Sequence, residues 1–131
     1  MLLVVTDGND NASVCSDAQI QHLAEASAVS IYAIGLLNDE DPSRAKRARH
    51  ELDRLAETTG GLVYYPASPD EVHAVALEMA HQIRNQYTIA YAPSNQSLDG
   101  SYRRIRVTAS GVEPLAVHTR AGYRATRGRS D

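Results

Sequence analysis

Short apolar runs alternate with amphipathic segments along this chain, and the alternation predicts its secondary structure. Apolar runs at Leu2–Thr6 and Val29–Gly35, both with several β-branched residues, predict strands buried in a parallel sheet, and Leu62–Tyr65 predicts a third short strand. After each run, apolar residues recur at three- and four-residue spacing, which predicts three helices. The order strand–helix, repeated three times, predicts an α/β fold with right-handed crossovers and helices on the faces of the sheet.

Capping residues mark the expected ends of these helices. Ser or Asp accepts hydrogen bonds from the first free N–H groups of a helix, and Pro at the first position loses none. The expected starts are Ser16 with Gln19 as a capping box, Asp41 with Pro42, and Ser68–Glu71 as a second capping box with Pro at the first position. Gly60 and Gly61 are expected to end the second helix.

The pattern changes to strict alternation in the last third of the chain. Residues Gln86–Ala92 and Tyr102–Ala109 alternate apolar and polar side chains, so we expect them to pair as an antiparallel hairpin. Leu115–Thr119 predicts a further short strand. We therefore expect a single domain over residues 1–131. Its parts are the β-α portion (1–85), the hairpin extension (86–124) and a frayed tail (125–131).

Composition fits one globular domain and limits its partners. The chain has 131 residues, of which 43% are hydrophobic and 22% charged. Its net charge of −3 argues against nucleic acid as the main partner. The charge is uneven, because seven arginines against two acidic residues follow position 100. We interpret this basic segment first as a solvated strand face, with contact to an acidic partner as the alternative.

Several other kinds of site lack support in the sequence. Cys15 is the one cysteine, so no internal disulfide or thiolate metal site is predicted. No apolar run approaches the length of a membrane span, and no signal peptide is visible. The compartment therefore stays unknown. No nucleotide-binding glycine motif is present either.

The first strand ends in a polar turn that could hold a ligand. In open α/β sheets, ligands bind beyond the carboxyl ends of the strands, where Asp7 is expected. A carboxylate there suits a hard cation such as Mg²⁺, and Asn9 and Asp10 offer further oxygen atoms around the Gly8 turn. The alternative is that these residues only form a turn leading into the next helix.

Four motifs along the chain carry a family resemblance. They are T-D-G-N-D-N at 6–11, G-G-L-V-Y-Y at 60–65, Q-Y-T-I-A-Y at 86–91 and R-A-G-Y at 120–123. In order and spacing they resemble the second half of a von Willebrand factor A (VWA) domain, and more narrowly the VWA-related domains common in acidobacterial proteins. The resemblance covers nearly the whole chain. It implies a Rossmann-like parallel sheet, here partial, extended by the C-terminal hairpin.

The resemblance also implies a function without catalysis. VWA domains bind other proteins through a metal-ion-dependent adhesion site, where Mg²⁺ or Mn²⁺ is held at the carboxyl ends of the strands and completed by an acidic side chain of the partner. Asp7 matches the aspartate that the fourth strand contributes, and Gly8, Asn9 and Asp10 would lie beside the ligand. A secreted or cell-envelope location is plausible for full-length members.

The chain departs from the family at the first part of that site. It contains no D-x-S-x-S, and the nearest segment, Asp41–Ala45, lacks the second serine. We therefore expect this chain to correspond to the C-terminal half of such a domain, and to bind no metal by itself. The fourth VWA strand lies beside the first, so Leu2–Thr6 is expected to be a bare apolar edge, and the isolated chain is expected to self-associate or to be unstable.

Three alternatives remain open. The turn T-D-G-N-D is one spacer short of the G-D-G-x-N-D of haloacid-dehalogenase-like phosphatases, and their D-x-D nucleophile motif is absent. Glu78 and His81 form one E-x-x-H, but di-iron bundles need two such motifs and two more glutamates. The third alternative is a metal-independent interaction module whose hairpin, with Arg104 and Arg106, contacts an acidic partner.

Overall fold

The computed structural model describes residues 1–8, 15–111 and 116–126 and has a mixed α/β fold. Three strands and three helices alternate first, and two short strands follow. The elements are β1 (Leu2–Thr6), α1 (Asp17–Ala26), β2 (Ile31–Gly35), α2 (Pro42–Thr59), β3 (Val63–Tyr64), α3 (Glu71–Arg84), β4 (Tyr102–Arg104) and β5 (Gly122–Arg124).

Strands β1, β2 and β3 form a parallel sheet in that order. The register places Val4 beside Ala33 and Ala33 beside Val63. Successive side chains of a strand point to opposite faces, so Tyr32 and Ile34 lie on one face of β2 and Ala33 on the other. The alternating β-α order predicted from the sequence is therefore confirmed for this half of the chain.

Helices cover the two faces of β2. On one face, Tyr32, Ile34 and Met79 of α3 are 1%, 3% and 2% exposed and form the core. The residues packed against this core are Leu62, Tyr64, Val75 and Ile83. On the opposite face, α2 packs against β2 and β3. Helix α1 packs against α2, where the Thr58 hydroxyl donates a hydrogen bond to the buried side chain of Gln21, at 3.2 Å.

Two of the three predicted helix starts are confirmed. Ser16 and Gln19 form the reciprocal capping box of α1. Asp41 accepts hydrogen bonds from the first turn of α2, and Gly60 ends that helix in the left-handed conformation. The capping box predicted at Ser68–Glu71 is wrong, because α3 begins only at Glu71 and no side chain caps it. The Glu71 carboxylate instead accepts from the Ala67 N–H, at 2.8 Å, and stabilises the turn before the helix.

Strand β1 forms where the sequence predicts it, but it is half-exposed rather than buried. Its one strand neighbour among the described residues is β2. Leu2, Leu3 and Val5 are 49%, 50% and 59% exposed. Leu3 and Val5 share the face of Tyr32 and Ile34, which α3 covers over β2 but leaves open over β1. The expected bare apolar edge is therefore present.

The predicted C-terminal hairpin is wrong. Tyr102–Arg104 pairs with Gly122–Arg124 as an antiparallel pair, and residues 86–92 form no strand. Gln86 instead donates its side-chain amide to the hydroxyl of buried Tyr32, which fixes the start of that segment against the core. Alternation identified a strand at Tyr102 but carried no information about its partner.

The end of the chain also differs from expectation. Residues 116–119 of the predicted Leu115–Thr119 strand are not a strand, and residue 115 lies outside the described residues. Ala125, expected in the frayed tail, is 2% exposed and its N–H donates to the Ser101 carbonyl, at 2.9 Å. The rest of that tail, residues 127–131, is also outside the described part.

Candidate functional site

The carboxyl end of β1 places the predicted metal residues at the edge of the sheet. Asp7 follows β1 directly, and the Gly8 N–H donates to Thr6 Oγ1, at 3.1 Å. Gly8 has φ +86°, and a Cβ there would lie 2.6 Å from the buried side chain of Leu37. Gly8 is thus required for this turn to pack on the loop after β2. Asn9 and Asp10 lie outside the described residues.

Within the described residues, Asp7 is the predicted metal ligand at this edge of the sheet. Mg²⁺ needs several oxygen ligands in near-octahedral geometry before it gives up its water. The described ranges contain no group of three or more His, Cys, Asp or Glu side chains that could hold a metal ion. Glu78 of the single E-x-x-H accepts from Gln82 Nε2, at 2.8 Å, and His81 contacts Asn85.

A cleft lies at the opposite end of the sheet, where β3 begins. Its volume is about 710 Å³, within the usual range of ligand pockets. One wall is the C-terminal part of α2, and the floor is the segment 60–63. The other wall consists of residues 104–106 and 117–121. We refer to this space as the β3 cleft.

The second wall of the β3 cleft is held in place by the β4–β5 pair. The ladder continues beyond β4, because the Ile105 N–H donates to the Ala121 carbonyl, at 2.9 Å. Gly60 contacts the backbone of Thr119 and Arg120 so closely that it leaves no space for a Cβ. The two walls therefore meet at Gly60 and diverge from there.

Three arginines of the basic segment are already bound to other groups. Arg103 donates to the carbonyls of Asn95 and Ser97. Arg120 donates to the carbonyls of Glu25 and Ser27, at 3.2 and 3.0 Å, and so supplies the cation that the last turn of α1 lacks. The remaining partnered arginine is Arg124, which is paired with Glu25. These three side chains stabilise the fold.

Arg104 and Arg106 differ from these three. Both line the β3 cleft and both are exposed. Neither has an ion pair or hydrogen-bond acceptor among residues 1–8, 15–111 and 116–126. Two positions apart on an extended segment, their Cα atoms are roughly 7 Å apart and their side chains share a face. His118 lines the same wall.

Two acidic side chains lie on the wall formed by α2, and they differ in their hydrogen bonding. Asp53 accepts a hydrogen bond from the hydroxyl of Tyr65, at 2.7 Å, and the Arg49 guanidinium lies 4.6 Å from the centre of that ring. Burial, together with the bond to Asp53, raises the pKa of Tyr65 far above its ordinary 10.0. Glu57 has no such partner in the part of the chain that the structure describes.

The floor of the β3 cleft offers backbone groups for hydrogen bonding. The Leu62 carbonyl accepts from the Ala33 N–H of β2, at 2.9 Å. In a trans peptide the N–H points opposite to the carbonyl, so the Val63 N–H points away from β2. Consecutive carbonyls along a strand also alternate in direction, so the Val63 carbonyl does the same. Within the described residues, no strand pairs with this edge of β3.

Sequence reasoning identified part of this cleft. It singled out Arg104 and Arg106 and the glycines at 60 and 61, but as a hairpin face and a helix stop. It missed Glu57, His118 and the open edge at Val63, which no local pattern marks, because three separate chain segments form the cleft.

Comparisons of the chain with models of protein families, with curated proteins and with solved structures gave no match. No helix in the described ranges has both the length and the apolar character to cross a membrane.

Proposed function

We propose that this chain is a non-catalytic protein–protein interaction module of the VWA type. The observation that carries the proposal is the open apolar margin of the parallel sheet. Leu3 and Val5 are 50% and 59% exposed beside the nearly inaccessible Tyr32 and Ile34. A flat apolar edge strand without charges is a surface that protein contacts usually cover.

The resemblance adds a metal to this proposal for the intact domain. Asp7 lies at the carboxyl end of β1, where Mg²⁺ or Mn²⁺ would be bound, and Gly8, Asn9 and Asp10 follow it in the sequence. One carboxylate binds Mg²⁺ poorly in water, so we propose that this chain alone has no competent metal site. Isothermal titration with MgCl₂ and MnCl₂ tests this, and binding in the micromolar range would overturn it.

Self-association through β1 is the interaction that can be tested directly. We expect the average molecular mass in solution, measured by size-exclusion chromatography with light scattering, to rise with protein concentration. Val5→Lys should suppress this rise, because a charge on the apolar edge opposes pairing with another strand. Leu77→Lys is the matched control, since Leu77 is similarly exposed, at 57%, but lies on α3. A folded wild-type monomer at all concentrations would contradict the proposal.

A second candidate function is a metal-independent contact with an acidic partner. It is favoured by Arg104 and Arg106, which are exposed and, within the described part of the chain, have no acceptor. The two candidates respond differently to two treatments. If the arginines carry binding, Arg104→Glu with Arg106→Glu abolishes it and EDTA has no effect. If a metal site carries binding, EDTA abolishes it and the arginine variants do not.

A further inference from the structure

We propose that the β3 cleft binds an extended acidic segment of a partner protein, which adds as a strand to β3 and places its carboxylates on Arg104 and Arg106. The inference rests on the second candidate function, and it names the site and the chemistry of the partner.

Within the described residues, the edge of β3 that faces away from β2 has no neighbouring strand. The N–H and the carbonyl of Val63 both point away from β2, toward the side on which no described strand pairs with β3. An extended peptide can satisfy both groups with two main-chain hydrogen bonds, as in other cases where a ligand adds to a sheet edge. The volume of about 710 Å³ gives such a segment room between the two walls.

The positive charge of the cleft wall suits an acidic ligand. Arg104 and Arg106 stand on one face of the wall opposite α2, at the spacing with which alternate side chains of a strand follow one another. A guanidinium matches a carboxylate in both planarity and hydrogen-bond geometry. Acidic residues at alternate positions of the bound segment would therefore meet both arginines in one register.

The other described arginines of the segment, Arg103, Arg120 and Arg124, already have partners within the fold. Arg103 is bonded to the carbonyls of Asn95 and Ser97, and Arg120 and Arg124 are bonded to groups around the C-terminus of α1. Among the described arginines of this segment, those left for a ligand, Arg104 and Arg106, are thus on the cleft wall. Glu57 lies on the opposite wall and repels carboxylates from the α2 side. It therefore favours an orientation in which the acidic side chains of the bound segment face the arginines.

A peptide of alternating glutamate and valine, labelled with fluorescein, is the probe for this site. In fluorescence anisotropy we expect the wild-type chain to bind it and to lose affinity as salt rises. Arg104→Glu with Arg106→Glu should weaken binding by about tenfold or more, since charge-assisted hydrogen bonds are lost and repulsion replaces them. Glu57→Gln should strengthen binding severalfold.

Arg44→Glu with Arg47→Glu is the matched control for the arginine variants. It makes the same change in net charge on the exposed face of α2, outside the cleft, so peptide affinity should stay near that of the wild type. Circular dichroism checks that each variant keeps the wild-type fold. If both pairs weaken binding equally, the peptide senses only overall charge and the proposal is overturned.

Peptides methylated on backbone nitrogens test the strand pairing. One peptide carries methyl groups on the odd residues and the other on the even residues. A peptide that pairs with β3 through one edge loses affinity on methylation of one set and keeps it on methylation of the other. Equal affinity for both would overturn strand addition.

Two further outcomes would assign the cleft to other occupants. If the Arg104 and Arg106 substitutions change the oligomeric mass in solution without peptide, a second copy of the chain occupies the cleft. That result would overturn the proposal of an acidic partner. Failure of the peptide to bind would overturn this inference, while the β1 experiment with Val5→Lys would still decide the proposed function separately.

Discussion

The Arg124 guanidinium binds one oxygen of the Glu25 carboxylate through two nitrogens, with Nε at 3.0 Å and Nη2 at 2.9 Å from Oε2. The two residues are 99 positions apart. This pair, with the Arg120 contacts to the end of α1, attaches β5 to the first helix. It thereby also positions the second wall of the β3 cleft, because β5 and residues 104–106 of that wall belong to one antiparallel ladder.

Arg124→Ala is therefore expected to loosen the C-terminal pair. Both side chains are partly shielded, with exposures of 34% and 25%, so we expect a loss of about 1 kcal/mol in the free energy of unfolding. Urea denaturation measures it. Arg44→Ala, on the exposed face of α2, should change stability by less than about 0.5 kcal/mol. Equal effects of the two substitutions would show that the ion pair does not fasten β5.

Tyr65 is expected to ionise at a higher pH than a free tyrosine. Burial and the bond to Asp53 raise its pKa above 10.0 in the folded state only, so its contribution to stability is complete below pH 10 and is lost as pH rises further. Tyr65→Phe should make unfolding less sensitive to pH above 10 and cost about 1 kcal/mol at neutral pH. The free energy of unfolding of both proteins, measured by urea denaturation at neutral pH and above pH 10, checks the first effect. The same loss of stability above pH 10 in both proteins would contradict it.

Gly60 and Gly100 provide a matched test of close packing at the cleft. Both have positive φ, +77° and +75°, so alanine strains the backbone of each by about 1 kcal/mol. A Cβ at Gly60 would also meet the backbone of Arg120, whereas nothing lies within 4 Å of one at Gly100. Thermal unfolding should therefore show Gly60→Ala to be the more destabilising. Similar melting temperatures would mean that the walls do not meet at Gly60.

Gln86 is expected to stabilise the fold through Tyr32. Its amide donates to the hydroxyl of Tyr32, a side chain that is 1% exposed. Gln86→Ala removes the one partner shown for that hydroxyl and should cost about 1–3 kcal/mol. In a Tyr32→Phe background the same substitution should cost much less, because no hydroxyl is left to satisfy. A double-mutant cycle by urea denaturation measures the coupling, and additive effects would exclude the bond.

Local patterns were sufficient for the first half of the fold. The apolar runs indicated β1, β2 and β3, and the caps at Ser16 and Asp41 indicated the starts of α1 and α2. The Ser68 cap failed because a Pro after Ser fits the turn Ser68–Glu71 as well as a helix start. The turn at Asp7 was correctly placed at the end of a strand, while its role in metal binding stays a prediction.

The sequence by itself determined β1, β2, β3 and the three helices, because these depend on runs of apolar residues and periods of two and 3.6 residues that neighbouring side chains define. Only the tertiary structure decided that β4 pairs with β5 rather than with residues 86–92. Strand pairing depends on which distant surfaces are buried together, and here Glu25 and Arg124 join opposite ends of the chain. For the same reason, the β3 cleft exists only after three separate segments have come together.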